Sequence, residues 1–138
     1  MIGENKKKLI AELTRDEAYK RKVYKDSVGI LTVGIGRNLE NVGVSLDEAQ
    51  YMLGNDIKAA VADAKKFSWY GCMSPVRKRV VVNMIFNLGL PRFKRFKKTI
   101  KFAERGDYQG FSTEMLDSEW AKQVGIRARR LSKMMKEG

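Results

Sequence analysis

The chain contains no histidine and a single cysteine in 138 residues. Without histidine there is no Ser–His triad, no imidazole general base and no His-built metal site. Acid–base chemistry near neutral pH must then fall to carboxylates, lysine or tyrosine. One cysteine excludes an internal disulfide, so packing alone must hold the fold. With no imidazole to activate it, Cys72 is expected to be a small buried hydrophobe. No D-x-D-x-D-G spacing marks a calcium loop, and no metal or cofactor is expected. No apolar run approaches the length of a membrane span. The start, MIGENKKKLIAEL, lacks the apolar core and cleavage site of a secretory signal.

What is present is a globular composition, 43% hydrophobic and 32% charged, with 28 Lys and Arg against 16 Asp and Glu. A net charge of +12 favours a polyanionic partner: nucleic acid, an anionic membrane surface or an acidic cell-wall polymer. No recognition motif and no aromatic–basic interleaving on a sheet accompany the charge, so no nucleic acid is expected. The length suits one domain, or two lobes sharing a connector, with a core large enough to stand unstapled.

Residues 3–15 read as a helix, with Leu9, Ile10 and Leu13 on one face. Residues 23–44 are the only β-like part. Val23–Lys25 and Ile30–Ile35 are predicted strands, Asp26–Gly29 the turn between them, and 41–44 a third short strand. Ser45-Leu46-Asp47-Glu48 is a capping box opening a long helix over 46–66. FSWYGCM, 67–73, reads as an aromatic plug of the core. Ser74-Pro75 starts the best candidate for a central helix, with Val76, Val80, Val81, Met84, Ile85 and Leu88 apolar and Gly89 at its end. A very basic helix is predicted over 91–104, another over 107–117, and a last one over 124–136 with Ile126, Leu131 and Met134 inward. The expected fold is α+β: a single domain over 1–138, with a small antiparallel three-stranded sheet lobe (16–45). The 46–66 helix joins it to a helical lobe (67–138, with helix 3–15).

The stretch Asp16–Arg37 carries the chemistry. Glycoside hydrolysis needs an acid for the leaving oxygen and a second carboxylate to attack or to activate water. Glu17, at a helix end, precedes Asp26 by nine positions, and Thr32 follows on the next strand. A hydroxyl beside an ionised carboxylate is suited to holding one water. That arrangement suits inversion, with carboxyl groups roughly 6.5–9.5 Å apart.

The wider pattern, DE-x-x-x-x-x-VYKDSVGILTVGIGRNL, resembles the catalytic region of the phage-type lysozymes. Glu17, Asp26, Thr32, Gly34 and Gly36 fall in that family's spacing. GVSLDEAQYMLGNDIKAAV is similar to its inter-lobe helix, RKRVVVNMIFNLG to its buried central helix, and DSEWAKQVGIRARRL to its Trp- and Arg-bearing segment. The resemblance implies a lysozyme-like fold and a monomeric muramidase that cleaves bacterial peptidoglycan after N-acetylmuramic acid. Anionic wall polymers would be held by charge. It implies Glu17 as general acid, Asp26 as the carboxylate orienting water, Thr32 as its second ligand, and Gly36, Asn87 and Arg127 as substrate-binding, with Arg127 near Glu17 and Asp16. It further implies an endolysin made in the bacterial host cytoplasm, reaching the wall through a holin pore or with a virion. The pattern breaks at Arg37, where the family often has His. A His–carboxylate pair is thereby lost, its stabilisation is expected to come from elsewhere, and stability should vary less between pH 6 and 8.

Overall fold

The structure, a computed structural model, describes residues 2–138. Contacts divide the chain into two compact units, Met1–Gln50 and Tyr51–Gly138. In the first, helix α1 (Gly3–Glu17) is followed by strands β1 (Lys20–Lys25), β2 (Leu31–Gly34) and β3 (Arg37–Asn38), antiparallel in the order β1-β2-β3. Lys25 pairs with Leu31, Tyr24 with Thr32, and Thr32 in turn with Asn38. Thr32 thus sits in the middle strand between two neighbours, and only 4% of it is exposed. The register shifts between Lys20 and Tyr24, so β1 carries a bulge and starts three residues earlier than its pattern suggested.

The third strand lies at Arg37–Asn38, not at 41–44. The Asn38 carbonyl accepts from both Val42 and Gly43, and its side chain accepts from the Asn41 amide at 2.9 Å. Those bonds commit 38–43 to a turn, which outweighs the β propensity of Val42 and of Val44 just after it.

Helix α2 (Leu46–Ala64) opens with the capping box, the Ser45 amide donating to Glu48 Oε1 at 2.9 Å. It continues into the second unit, through Gly54, without a break.

The core of that unit is built on α3 (Pro75–Leu88). Ser74 caps it by accepting from the Arg77 amide, Pro75 supplies the first turn, and Gly89 (φ 79°) ends it. Val80, Val81, Met84, Ile85 and Leu88 are buried. They meet α8 (Ile126–Glu137) through Ala128, Leu131 and Met135. This stripe has three- and four-residue spacing and leaves Ile126 exposed, against expectation. The helix starts only after Gly125 (φ 55°), and α7 (Glu119–Val124) precedes it, capped by Ser118. Helix α6 (Tyr108–Glu114) is capped by Asp107 and buries Phe111.

The aromatic stretch does plug the core. Trp69, Phe67, Phe93, Phe96 and Trp120 form a chain of ring contacts with centroids 4.8–6.3 Å apart. Because Trp69, Tyr70 and Met73 turn inward there, Cys72 is left exposed rather than buried. The basic segment is not one helix but two, α4 (Leu90–Phe93) and α5 (Lys97–Glu104). The break at 94–96 lets Phe93 and Phe96 stack in that chain. It also interrupts a run of like charges that would repel across helical turns.

Candidate active site on the small sheet

Glu17 is the last residue of α1, and Ala18 after it has φ 61° and ψ 156°. Ala18 is the one non-glycine residue with positive φ among the described residues. Such a backbone costs of order 1–3 kcal/mol and persists only where its surroundings hold it. Here it turns the chain from helix into β1 directly behind Glu17.

The Glu17 carboxyl lies over the β2–β3 turn, against Gly36. A Cβ added at Gly36 would stand 2.8 Å from both Cδ and Oε2 of Glu17. Gly34 and Gly36 both have φ near +70°, a conformation that glycine reaches without steric cost. Gly36 therefore has two requirements, its backbone and the space the acid occupies; Gly34 has only the first.

Asp26 opens the β1–β2 turn. Its Oδ1 accepts from the amides of Val28 and Ile30, both at 2.9 Å. Its own amide donates to the Ile30 carbonyl, and Gly29 (φ 86°) closes the turn. The motif is an Asx turn followed by a glycine bulge, and the DSVG order writes it locally. Oδ2 accepts from no group among the described residues. Side-chain alternation puts Asp26, Tyr24 and Thr32 on one sheet face. The Thr32 hydroxyl donates to the Ile30 carbonyl at 2.9 Å, so its lone pairs remain to accept.

Arg37 is not a simple loss of a family ion pair. Its guanidinium makes a two-pronged contact with Glu48, with Nη1 2.7 Å from Oε1 and Nη2 on Oε2, and Nη1 also reaches the Gly43 carbonyl. The stabilisation expected to come from elsewhere comes from Arg37 itself. Glu48 was read only as a capping-box residue, and the +11 spacing of the pair gave no signal. The Arg37 hydrogen bonds, with those from Ser45, hold the Glu48 carboxyl at about 2, below its ordinary 4.5. The same contact raises Arg37 further above its ordinary value.

A depressed carboxyl stabilises the fold above its unfolded pKa and loses that contribution as pH falls through the folded one. The pair therefore adds a constant amount through pH 6–8 and fades between 4.5 and about 2. Urea midpoints of the native chain and of Arg37→Met should differ by a constant amount above pH 5 and converge below pH 4.5. A gap that instead changed steeply between pH 6 and 8 would contradict this assignment.

Asn87 and Arg127 belong to the helical unit. Asn87 Oδ1 accepts from the Trp120 indole at 2.7 Å, and Asn83 Oδ1, one turn earlier on α3, accepts from Arg127 Nε and Nη2 at 3.0 and 2.7 Å. The two amides anchor the C-terminal helices on the core helix. Asn83 was not predicted as a partner, although its polarity on an apolar helix was a visible signal. Arg127 and Asn83 also border an apolar cavity of about 480 Å³ with Leu53, Ile57, Val82 and Phe86.

A mostly helical chain with one small antiparallel sheet is of the lysozyme-like α+β class. The chain belongs to the phage lysozyme family, whose model matches residues 14–136; it is a glycoside hydrolase of the peptidoglycan-lysing kind. Two curated relatives from Dictyostelium discoideum are named "Probable T4-type lysozyme 1" and "Probable T4-type lysozyme 2". Each is 24% identical, over 91% of this chain and 92% of its own.

Proposed function

We propose that the protein hydrolyses the β-1,4 bond between N-acetylmuramic acid and N-acetylglucosamine in bacterial peptidoglycan, with inversion at the anomeric carbon. Glu17 protonates the glycosidic oxygen as the bond from C1 breaks. A water held by Asp26 and Thr32 attacks C1 from the opposite face and passes its proton to Asp26, and solvent then restores both acids to their starting states.

The observation that carries this reading is the pair of free acceptors on one sheet face. Asp26 is fixed through Oδ1, while Oδ2 and the Thr32 lone pairs remain open. A water donating one hydrogen to each would direct its own lone pair outward, toward an incoming sugar. Thr32 is almost fully buried, so the position suits one water rather than bulk solvent. Asp26 faces Ile30 across its turn and Glu17 lies over the Gly34–Gly36 turn, at the two ends of β2. Inversion needs room for one water between the acid and the base, whereas a retaining enzyme holds its two carboxyl groups about 5–5.5 Å apart.

Mass spectrometry of digested walls tests the reaction. Hydrated reducing ends at muramic acid, formed first as the α anomer in NMR, are expected. Anhydro-muramyl ends would show a lytic transglycosylase instead, and a β anomer would show retention.

A further inference from the structure

The positive charge of this chain is concentrated. From Arg92 to Arg105, seven of fourteen residues are Lys or Arg and one is acidic, a net +6 that is half of the whole chain's +12. All seven are exposed, and none is ion-paired among the described residues. Lys97 and Lys101 stand four apart on α5, a spacing that sets like charges against each other across one helical turn and costs about 0.2–0.5 kcal/mol. The carboxylates of Glu114 and Asp117 border the patch beside Arg95 and Lys97 without neutralising it.

The apolar residues of the segment point the other way. Phe93 and Ala103 are buried, and Phe96, Ile100 and Phe102 pack against the core. The outer face therefore has no ring on which a nucleobase could stack. It also has no apolar stripe with which a helix could enter a bilayer. What remains is a cationic surface on a rigid support, suited to a polymer that offers repeated charge and nothing else.

We propose that α4 and α5 form a docking surface for a phosphodiester-linked polyanion of the bacterial envelope, with a poly(glycerol phosphate)-type backbone. It would hold the enzyme on its insoluble substrate, and in that respect the idea rests on the wall-lytic reading. The contact is between lysine or arginine and phosphate, with release of condensed counterions, so its affinity falls steeply with salt.

The test is direct binding, independent of catalysis. The full chain, the variant Lys94→Gln/Lys97→Gln/Lys98→Gln/Lys101→Gln, and a charge-matched control, Lys6→Gln/Lys7→Gln/Lys8→Gln/Lys133→Gln, are titrated with soluble poly(glycerol phosphate) across a salt series. The patch variant should bind at least about tenfold more weakly, with a shallower salt slope, while the control stays within about twofold. All three should cut a soluble uncharged peptidoglycan fragment at the same rate. Native-like binding by the patch variant, or equal weakening of the control, would overturn the proposal, the latter by reducing it to net charge. Tighter binding to duplex DNA or to anionic phospholipid vesicles at equal ionic strength would overturn the choice of partner. Loss of cleavage in the native chain would instead fail the lytic reading and leave the binding result standing.

Discussion

Glu17→Gln should abolish turnover and leave the protein slightly more stable. The amide cannot donate an acidic proton to the leaving oxygen, and a positioned general acid contributes about 10²–10⁴-fold. A fall of about 10³-fold corresponds to about 4 kcal/mol of barrier. The stability effect has the opposite sign. Glu17 is the last residue of α1, exposed, and hydrogen-bonded to nothing among the described residues. A negative charge there faces the negative end of the helix dipole, and its removal should gain about 0.3–1 kcal/mol. Clearing of purified walls, followed beside a urea melt of the same preparation, separates the two effects. Wall clearing above about a tenth of the native rate, with the fold intact, would remove Glu17 from the mechanism.

Gly36→Ala should cost activity far more than stability, and Gly34→Ala is its control. Both positions have φ near +70°, so each alanine incurs a backbone cost of about 1 kcal/mol. Only at Gly36 would the new methyl collide, and it meets the far end of the Glu17 side chain at 2.8 Å. A flexible carboxyl can swing aside cheaply, so the added stability cost is small. The displaced group is the proposed proton donor, however, and a 1 Å misplacement of a reacting group can cost about 10²-fold. We expect a loss of roughly that size in kcat for Gly36→Ala and little for Gly34→Ala, with similar urea midpoints. Equal losses at the two glycines would mean that the turn's backbone, not its contact with Glu17, governs activity. On this view Gly36, which the family pattern suggests as substrate-binding, serves first as the seat of the acid.

Much of the sheet was legible because its signals are local. DSVG writes both the Asx turn that holds Asp26 and the glycine that closes it. Period-two alternation then puts Thr32 on the face of Asp26. Ser45 and Glu48, Ser74 and Pro75, and Asp107 each announced a helix start that the structure contains. The misreadings occur where a local preference met a longer-range demand. Val42 and Val44 favour a strand, but Asn38 draws their segment into a turn. Residues 91–104 have helical periodicity, but the core takes two phenylalanines from a broken segment. Ile126 is apolar, but the helix start at Gly125 turns it outward.

By itself the sequence determined the class of fold, the starts and caps of the main helices, the Asp26–Gly29 turn, and that Asp26 and Thr32 share a sheet face, because caps, turns and alternation act within a few residues. Tertiary structure alone decided what those groups touch. It put the Glu17 carboxyl against Gly36, nineteen positions away, and Ala18 in a strained conformation behind it. It paired Arg37 with Glu48, Asn83 with Arg127 and Asn87 with Trp120. Such contacts depend on where whole elements pack, and packing is a property of the assembled core, which no single stretch of the chain encodes.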